Sequence, residues 1–220
     1  MSDKNQSLEK DYWNNFYSKW VIEIPSQFCV QMLTEVDKQH TIVEFGSGNG
    51  RDSHYIAHQG HMVVAMDLSK EAVARSSSVM AERGIEHAVF SIGDVADEKD
   101  VARILAMARA RGHASNSAVV VYCRFLLHSL DEGQEERFLT ALSGHMAAGD
   151  SLYLEFRSSE DAGMKKIFGN HYRRYIDTDN LMSELNDRYN FATEYCLTGQ
   201  GMAKYRDEDP FVSRVIAKKL

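Results

Sequence analysis

The sequence predicts an α/β fold in which helices cover both faces of a mostly parallel central sheet that ends in an antiparallel hairpin. Three observations lead to this prediction. Short apolar runs alternate with helix-like stretches from residue 41 onward, glycines follow several of these stretches, and two extended segments lie near the end of the chain. Such alternation is typical of a parallel sheet covered on both faces. A length of 220 residues suits one large domain of this kind.

Each predicted strand is a β-branched or apolar run, and a helix-like stretch separates it from the next. The strands are predicted at 41–45, 62–67, 88–92, 118–123 and 151–156. The helices between them are predicted at 52–59, 70–83, 98–111 and 132–147. Gly60, Gly84 and Gly112 each follow a predicted helix, where a left-handed C-cap favours glycine. The glycine positions therefore support the predicted boundaries.

The two ends of the chain differ from this central region. Residues 8–36 carry aromatic side chains at helical spacing, typical of a core-facing helix or of a lid over a ligand. Beyond the last parallel strand, a helix at 180–188 and extended segments at 191–197 and 211–218 are predicted. We therefore predict one domain, residues 1–220, with a helical cap (1–40), a cofactor-binding core (41–157) and a substrate-side insert with terminal hairpin (158–220).

Composition and charge disfavour several classes of protein. A formal net charge of −7 opposes general affinity for phosphate backbones, so no nucleic-acid partner is expected. The apolar runs are far shorter than the roughly 20 residues of a membrane helix. The three cysteines are widely separated, which indicates neither a disulfide framework nor a zinc site. The polar first ten residues do not resemble a secretory signal, and a cytoplasmic location is expected.

A glycine-rich loop follows the first predicted strand. Residues 43–52 read Val-Glu-Phe-Gly-Ser-Gly-Asn-Gly-Arg-Asp, and such glycines let the backbone approach a nucleoside closely. A dinucleotide-binding fingerprint, Gly-x-Gly-x-x-Gly, would need a glycine where Arg51 stands. The spacing therefore favours a nucleoside cofactor without phosphates, whose carboxylate and sulfonium need partners.

Two acidic residues end the next two predicted strands. Asp67 lies 21 positions after Gly46, at a spacing suited to ribose hydroxyls, although a dehydrogenase would share this feature. Asp94, followed by Val95, is placed to read the amino edge of an adenine. Each acid alone could be a solvated strand-end residue. Their position on successive strand ends indicates a nucleoside-binding site.

The segment 41–95 resembles the class I methyltransferases. It is similar to the small-molecule branch containing thiopurine and tellurite-resistance methyltransferases through Gly-Arg-Asp-Ser at 50–53 and Gly-His-x-Val at 60–63. The aromatic pattern at 12–20 is similar to the segment that covers the cofactor in that branch. The resemblance implies a Rossmann-like fold and methyl transfer from S-adenosylmethionine to a small molecule.

The resemblance also implies which residues approach each part of the cofactor. Glu44 and the glycine loop would lie near the methionine portion, Asp67 near the ribose, and Asp94 with Val95 near the adenine. The implied cofactor-binding residues are Trp13, Glu44, Gly46, Ser47, Gly48, Gly50, Arg51, Asp67, Leu68, Asp94, Val95, Tyr122 and Arg124.

The end of the fourth predicted strand departs from familiar subfamilies. It reads Tyr-Cys-Arg-Phe at 122–125 rather than the Asn/Asp-Pro-Pro-Tyr of amino-methylating nucleic-acid enzymes, which disfavours a base amine as acceptor. Tyr122 also stands where catechol-type enzymes place an acidic magnesium ligand, so no metal is expected. The later pair Asp179 and Asn180 is interpreted as a helix N-terminal cap.

Candidate acceptor-binding residues are predicted at the remaining strand ends and in the insert. Arginine pairs with carboxylate or phosphate through two hydrogen bonds, and histidine could remove a proton near neutral pH. The candidates are Arg124, His128, Glu155, Arg157, His171, Tyr172, Arg173, Arg174 and Tyr205, with His128 or His171 as the base. The arginines could instead form a structural network with Glu155, Glu160 or Asp161.

If these arginines bind substrate, the acceptor is expected to be an anionic metabolite, or a phosphorylated or acidic sugar or glycan, methylated at oxygen. The segments 171–174 and 201–205 are similar to methyltransferases encoded with surface-polysaccharide pathways. Two alternatives stay open. One is a catalytically silent module that binds S-adenosylmethionine, and the other is a Rossmann oxidoreductase, which Arg51 disfavours.

Overall fold

The structure is a computed structural model that describes residues 12–15, 24–112, 117–164, 166–167 and 172–220. Its helices are α1 (Gln27–Glu35), α2 (Arg51–His58), α3 (Lys70–Glu82), α4 (Glu98–Arg111), α5 (Glu132–His145) and α6 (Thr178–Asp187). Its strands are β1 (Thr41–Phe45), β2 (Val63–Asp67), β3 (Ala88–Ile92), β4 (Val119–Arg124), β5 (Ser151–Arg157), β6 (Phe191–Gly199) and β7 (Val212–Lys219). Residues 12–15 are also helical, and short 3₁₀ turns lie at Leu127–Ser129 and Ser159–Asp161.

The strands form one sheet in the order β3-β2-β1-β4-β5-β7-β6. The first five are parallel, whereas β7 runs antiparallel to both β5 and β6. The dinucleotide-binding Rossmann order is 3-2-1-4-5-6. This sheet differs from that order because the antiparallel strand β7 lies between β5 and β6. The predicted fold class, with its terminal hairpin, is confirmed.

The central strands are buried because hydrophobic clusters cover both faces of the sheet. Val43 and Phe45 pack with α4 and α5 on one face, while Ile42 packs with Phe28 of α1 on the other. Successive side chains of a strand point to opposite faces, which places these neighbours in different clusters. Glu44 points to the second face and is the acidic residue among the buried side chains of β1. It lines the cavity described below.

The glycine C-caps differ from one another. Gly60 and Gly84 have φ values of 90° and 66°, so the left-handed conformation predicted for them is confirmed. Gly112 has φ −60° and ψ 136°, and the left-handed prediction is wrong there. A Cβ on Gly112 would lie 3.2 Å from Ser117, so close packing of the following chain accounts for the glycine.

Three other predictions concern the cap of the last helix, membrane helices and residues near the two ends of the chain. The cap of α6 is Asp177, whose side chain accepts a hydrogen bond from Asn180, so Asp179 and Asn180 lie within the first turn instead of capping it. Within the described ranges, no helix combines the length and apolar character needed to cross a membrane. Phe16, Tyr17 and Trp20 of the aromatic pattern at 12–20, and the predicted base His171, lie outside the described residues.

Candidate active site

A cavity of about 310 Å³ opens at the carboxyl ends of β1 to β5, and we call it the strand-end cavity. Fifteen residues predicted from the sequence line it: Trp13, Glu44, Gly46, Ser47, Gly48, Arg51, Asp67, Leu68, Asp94, Val95, Arg124, His128, Arg157, Arg173 and Tyr205. The cavity is also lined by residues that were not predicted as site residues: Asn49, Asp52, Gly93, Phe125, Leu126, Ser129, Leu130, Gln134, Ala203, Glu208 and Pro210.

The glycine loop forms one wall of the strand-end cavity. Gly46, Gly48 and Gly50 have φ values of 72°, 53° and 74°, which residues with a Cβ rarely adopt. The Gly46 N–H donates to the Met66 carbonyl at 2.8 Å, so the loop rests on the end of β2. Gly50 is the N-cap residue before α2, and it supplies no side-chain hydrogen bond to that helix. The backbone of this loop is therefore exposed to a ligand at close range.

Asp67 joins the glycine loop to the start of α3. One carboxylate oxygen accepts the Gly48 N–H at 2.7 Å and the other accepts the Ser69 N–H at 2.8 Å. Burial raises the pKa of Asp67, although these backbone hydrogen bonds act in the opposite direction. The Ser69 hydroxyl in turn donates to Asn14 at 2.6 Å. Asp67 therefore fixes the loop, and the helical residues 12–15 lie beside it.

Glu44 is a buried acid beneath the glycine loop. Its side chain is 4% exposed and accepts a hydrogen bond from the Ser53 hydroxyl on α2. Burial and the nearby Asp52 raise the pKa of Glu44 to about 8, against the opposing influence of Ser53 and Arg51. At neutral pH this residue is therefore a mostly protonated carboxyl that lines the cavity.

Asp52 is a second buried acid, and its carboxylate is the centre of a hydrogen-bond network. It accepts from the Ser26 N–H at 2.8 Å, from the Ser26 hydroxyl at 2.7 Å and from the Tyr122 hydroxyl at 2.9 Å. Burial alone would raise the pKa of Asp52, but Arg51 and Arg124 lower it. Tyr122 is fully buried and does not line the cavity, so its hydroxyl holds Asp52 instead of facing a ligand.

The opposite end of the strand-end cavity is formed by the turn after β3. Asp94 accepts the Ala96 N–H at 2.8 Å, and its own N–H donates to Asp100 at 3.0 Å. A Cβ on Gly93 would lie 2.3 Å from the Met66 sulfur, so this turn packs tightly on β2. Val95 and Leu130 add apolar walls. A half-buried carboxylate beside apolar walls suits a heterocycle with an amino edge.

A cluster of four charged residues, which we call the Arg157 cluster, supports the cavity beyond β5. Arg157 donates to Asp161 at 2.6 Å and also to Glu208. Lys166 lies 2.8 Å from the Asp161 carboxylate. The four side chains, two cations and two carboxylates, are largely buried and neutralise one another. The contacts of Arg157 are therefore those of a structural residue. Its pairing with Asp161 agrees with the alternative interpretation, in which the arginines form a structural network.

His128 lines the cavity next to the Arg157 cluster. Its Nδ1 accepts the Arg157 backbone N–H at 3.2 Å, and its ring lies edge-on to Phe125 with centroids 5.0 Å apart. A neutral imidazole whose Nδ1 accepts carries its proton on Nε2. His128 therefore presents a hydrogen-bond donor, an arrangement that suits a general base poorly.

Four other predicted residues do not line the strand-end cavity. Gly50 is absent from the lining although Gly46 and Gly48 belong to it, and Glu155 is buried between Arg124 and Arg214. Arg174 pairs with Glu135 and donates to the Leu130 carbonyl at 2.8 Å. Tyr172 is 49% exposed. Within the described residues, no group of three or more His, Cys, Asp or Glu side chains is arranged to hold a metal ion.

Comparison with known proteins identifies the domain that contains this cavity. Residues 42–149 match the family model described as "Methyltransferase domain". The chain carries a methyltransferase domain. This methyltransferase uses S-adenosylmethionine as its cofactor, and the resemblance found in the sequence is confirmed. No curated protein matches the chain.

Solved structures share the fold of this methyltransferase at low sequence identity. A S-adenosylmethionine-dependent methyltransferase from Anabaena variabilis is 15% identical with a TM-score of 0.69, covering 96% of this chain and 93% of the other. The glycopeptide N-methyltransferase MtfA, complexed with S-adenosylmethionine, is 16% identical with a TM-score of 0.65, covering 90% and 95%. TehB from Haemophilus influenzae is 12% identical with a TM-score of 0.67, covering 96% and 67%.

The residues of the strand-end cavity fit this cofactor. The Ser47 hydroxyl is buried in the glycine loop and has no hydrogen-bond partner among the described residues, so a polar ligand group would satisfy it. Arg51 and Arg124 supply positive charge for the carboxylate of the cofactor's methionine portion. Glu44 is a protonated carboxyl, and the ammonium of the same portion would favour its ionised form. The polar atoms at the glycine loop suit the amino-acid end of S-adenosylmethionine, and the apolar walls after β3 suit its adenine end.

Proposed function

We propose that this enzyme methylates an oxygen of a small anionic molecule, either an anionic metabolite or a phosphorylated or acidic sugar. The supporting observation is the charge of the cavity near Arg173. The Arg157 cluster is neutral within itself, and Arg173 adds one positive charge beside it. Burial, followed by the neighbouring Arg157, lowers the pKa of Arg173. Because Arg173 lines the cavity, an acceptor anion there could form charge-assisted hydrogen bonds with its guanidinium.

The cofactor would occupy the cavity from the glycine loop to the turn after β3. In this proposal Glu44 meets the ammonium of the methionine portion, Asp67 the ribose hydroxyls and Asp94 the adenine. Bound there, S-adenosylmethionine supplies an electrophilic methyl group on its sulfonium. The protein then has to align the acceptor with that methyl group and to keep water away.

The residues on the acceptor side of the cavity are better suited to positioning the acceptor than to removing a proton from it. Arg173 would fix the anionic group, and the ring of Phe125, which lines the cavity, would pack against the body of the acceptor. The Nε2–H of His128 would donate a hydrogen bond to the acceptor. This assignment favours an acceptor oxygen that is already ionised, or that loses its proton to solvent, because His128 presents a donor.

The first test of this proposal is Arg173→Ala. Once the acceptor has been identified by mass spectrometry with trideuteromethyl-labelled cofactor and cell metabolites, we expect the variant to lower kcat/KM for that acceptor by about 10- to 100-fold. That range is typical of a lost hydrogen bond to a charged group. The affinity for S-adenosylhomocysteine, measured by calorimetry, should stay within about twofold.

Arg174→Ala is the matched control, because the adjacent arginine pairs with Glu135 outside the cavity. Its kinetics toward the acceptor should equal those of the parent enzyme. Equal kinetics for all three proteins would show that Arg173 does not recognise the acceptor. An acceptor without negative charge would contradict the proposed substrate class directly.

The second test is the pH dependence of cofactor binding. Because the pKa of Glu44 is raised to about 8, the free protein holds this proton at neutral pH. An ammonium beside Glu44 favours the carboxylate, so binding should release a proton. The affinity for S-adenosylhomocysteine should therefore rise with pH, by at most about tenfold per unit, and level off above the pKa of Glu44.

Glu44→Gln supplies the control for this measurement, since it keeps the shape of the side chain and cannot ionise. Titration of the ligand's own ammonium affects both proteins alike, so the difference between their pH profiles reports Glu44. Calorimetry in buffers of different ionisation enthalpy should detect proton release only in the parent. Identical profiles for the two proteins would place the ammonium elsewhere.

A further inference from the structure

Arg214 is a buried cation on β7 to which the proposed reaction assigns no role. Its side chain is 8% exposed, and its guanidinium lies 5.1 Å from the centre of the Phe28 ring. Each of its three nitrogens donates a hydrogen bond at 2.8 Å: the Nε to Glu155, one terminal nitrogen to Gln31 and the other to the Met202 carbonyl. Arg214 therefore joins β5, α1 and the connection between β6 and β7 at one point.

The contact with Glu155 fixes the orientation of the Arg214 guanidinium. Glu155 is 1% exposed, and its two carboxylate oxygens face Arg214 and Arg124. A guanidinium is planar, so its donors point in set directions once one part of the group is held. The contact with Glu155 therefore determines where a terminal nitrogen of Arg214 meets the Met202 carbonyl.

A second buried arginine holds the other end of the connection between β6 and β7. The Glu208 carboxylate accepts a hydrogen bond from Arg157. Tyr205 and Glu208 exchange two backbone hydrogen bonds, at 2.8 and 3.0 Å, across a tight turn. Ala203, Tyr205 and Glu208 line the strand-end cavity. The residues that face the cavity therefore follow one anchor, the Met202 carbonyl, and end at another, the Glu208 carboxylate.

This connection lies at the acceptor side of the strand-end cavity. Val212, the first residue of β7, pairs with Arg157 at the end of β5, so the connection before β7 reaches the carboxyl ends of the parallel strands. Arg173 lies beside Arg157. The cofactor is proposed to lie at the ends of β1 to β3, and β4 stands between those strands and β5. The connection therefore faces the part of the cavity that is proposed to receive the acceptor.

We infer that Ala203 and Tyr205 contact the acceptor and that Arg214 is the positioning residue that holds them at the cavity. This inference rests on the proposed location of the acceptor beside Arg173. Without the donor from Arg214, the segment after Met202 would open more often, and the acceptor would lose contacts. The proposed cofactor contacts lie on other strands, so the affinity for the cofactor should not depend on this anchor.

Arg214→Lys tests the positioning role. The fold should persist because the variant keeps a positive charge beside Glu155, but one ammonium cannot replace three donors that point in different directions. For the acceptor identified by labelling, KM should rise by about threefold to tenfold while kcat stays within about twofold. The affinity for S-adenosylhomocysteine should also stay within about twofold. Gln31→Ala is the matched control, because it removes another contact of the same guanidinium and should leave all three quantities unchanged.

Amide hydrogen exchange examines the anchor without any acceptor. In Arg214→Lys, the amides of residues 200–211 should exchange at least about threefold faster than in the parent, whereas those of the glycine loop should not change. Ala203→Leu then tests whether this segment faces the acceptor. A larger side chain at this wall should lower kcat/KM for the acceptor by about tenfold or more and leave the affinity for S-adenosylhomocysteine unchanged.

Three results would overturn the inference. Unchanged acceptor kinetics or unchanged exchange in Arg214→Lys would show that Arg214 does not position this segment. Equal losses for the acceptor and S-adenosylhomocysteine would place the effect at the cofactor, through Glu155 and Arg124. These measurements apply to an acceptor of any charge. An uncharged acceptor would therefore contradict the proposed substrate class and leave this test intact.

Discussion

Replacing Arg157 with methionine is expected to lower the free energy of unfolding by about 3–5 kcal/mol. The substitution leaves the carboxylates of Asp161 and Glu208 buried with Lys166 as their remaining cation in the Arg157 cluster. Desolvated carboxylates without a partner cost much more than the net stabilisation that an intact buried pair supplies. Urea denaturation monitored by circular dichroism measures the change.

A second substitution separates charge from lost packing. Glu208→Gln in the Arg157→Met background removes one uncompensated carboxylate, so the double variant should recover part of the lost stability. Arg188→Ala is the surface control, because Arg188 pairs with Glu136 in an exposed position and its loss should leave the denaturation midpoint unchanged. An unchanged midpoint for Arg157→Met, with weaker acceptor binding, would restore Arg157 as a substrate ligand.

The contrast between Asp67 and Arg157 shows what the sequence could predict. The position of Asp67 is predictable because parallel strands end at one edge of a sheet, so an acid that ends a strand next to the glycine-loop strand lies near that loop. The structure places its carboxylate 2.7 Å from the Gly48 nitrogen. Local pattern and fold class together decide such positions.

The partners of Arg157 could not be predicted in this way. Glu208 lies 51 positions further along the chain, in the connection between β6 and β7, and no periodicity relates the two residues. Tyr122 is similar, because its hydroxyl contacts Asp52 across 70 positions. The sequence showed charged and aromatic residues at strand ends. Whether such a residue faces the cavity or another side chain depends on packing between distant segments.

The left-handed backbone of Phe125 is a feature that the sequence does not predict. Its φ of 57° lies in the left-handed region, which a bulky residue occupies at a cost. The ring lies against the guanidinium groups of Arg124 and Arg157, at 4.2 and 5.5 Å from its centre. No glycine or asparagine marks this position in the sequence. The turn after β4 is therefore set by the packing of this ring, and propensity does not predict it.

Gly50→Ala is expected to cost about 2–4 kcal/mol of stability and to weaken S-adenosylhomocysteine binding. Gly50 has φ +74°, and a Cβ there would lie 2.6 Å from the His54 ring and 2.7 Å from the Ser76 hydroxyl. Left-handed strain and overpacking between α2 and α3 therefore act together. Because the Ser76 hydroxyl lies 3.5 Å from the Gly48 carbonyl, displacing Ser76 should disturb the glycine loop.

Gly84→Ala isolates the strain from the overpacking. Gly84 has φ +66° and no heavy atom within 4 Å of an added Cβ, so this variant should lose only about 1–2 kcal/mol and bind S-adenosylhomocysteine normally. Denaturant unfolding and calorimetry on both variants separate the two contributions. Equal stability losses for Gly50→Ala and Gly84→Ala would show that the side chains of His54 and Ser76 move away from the added Cβ at little energetic cost. A normal affinity in Gly50→Ala would then mean that the cofactor tolerates movement between α2 and α3, and that the loop is held at β2 through Gly46 and Gly48.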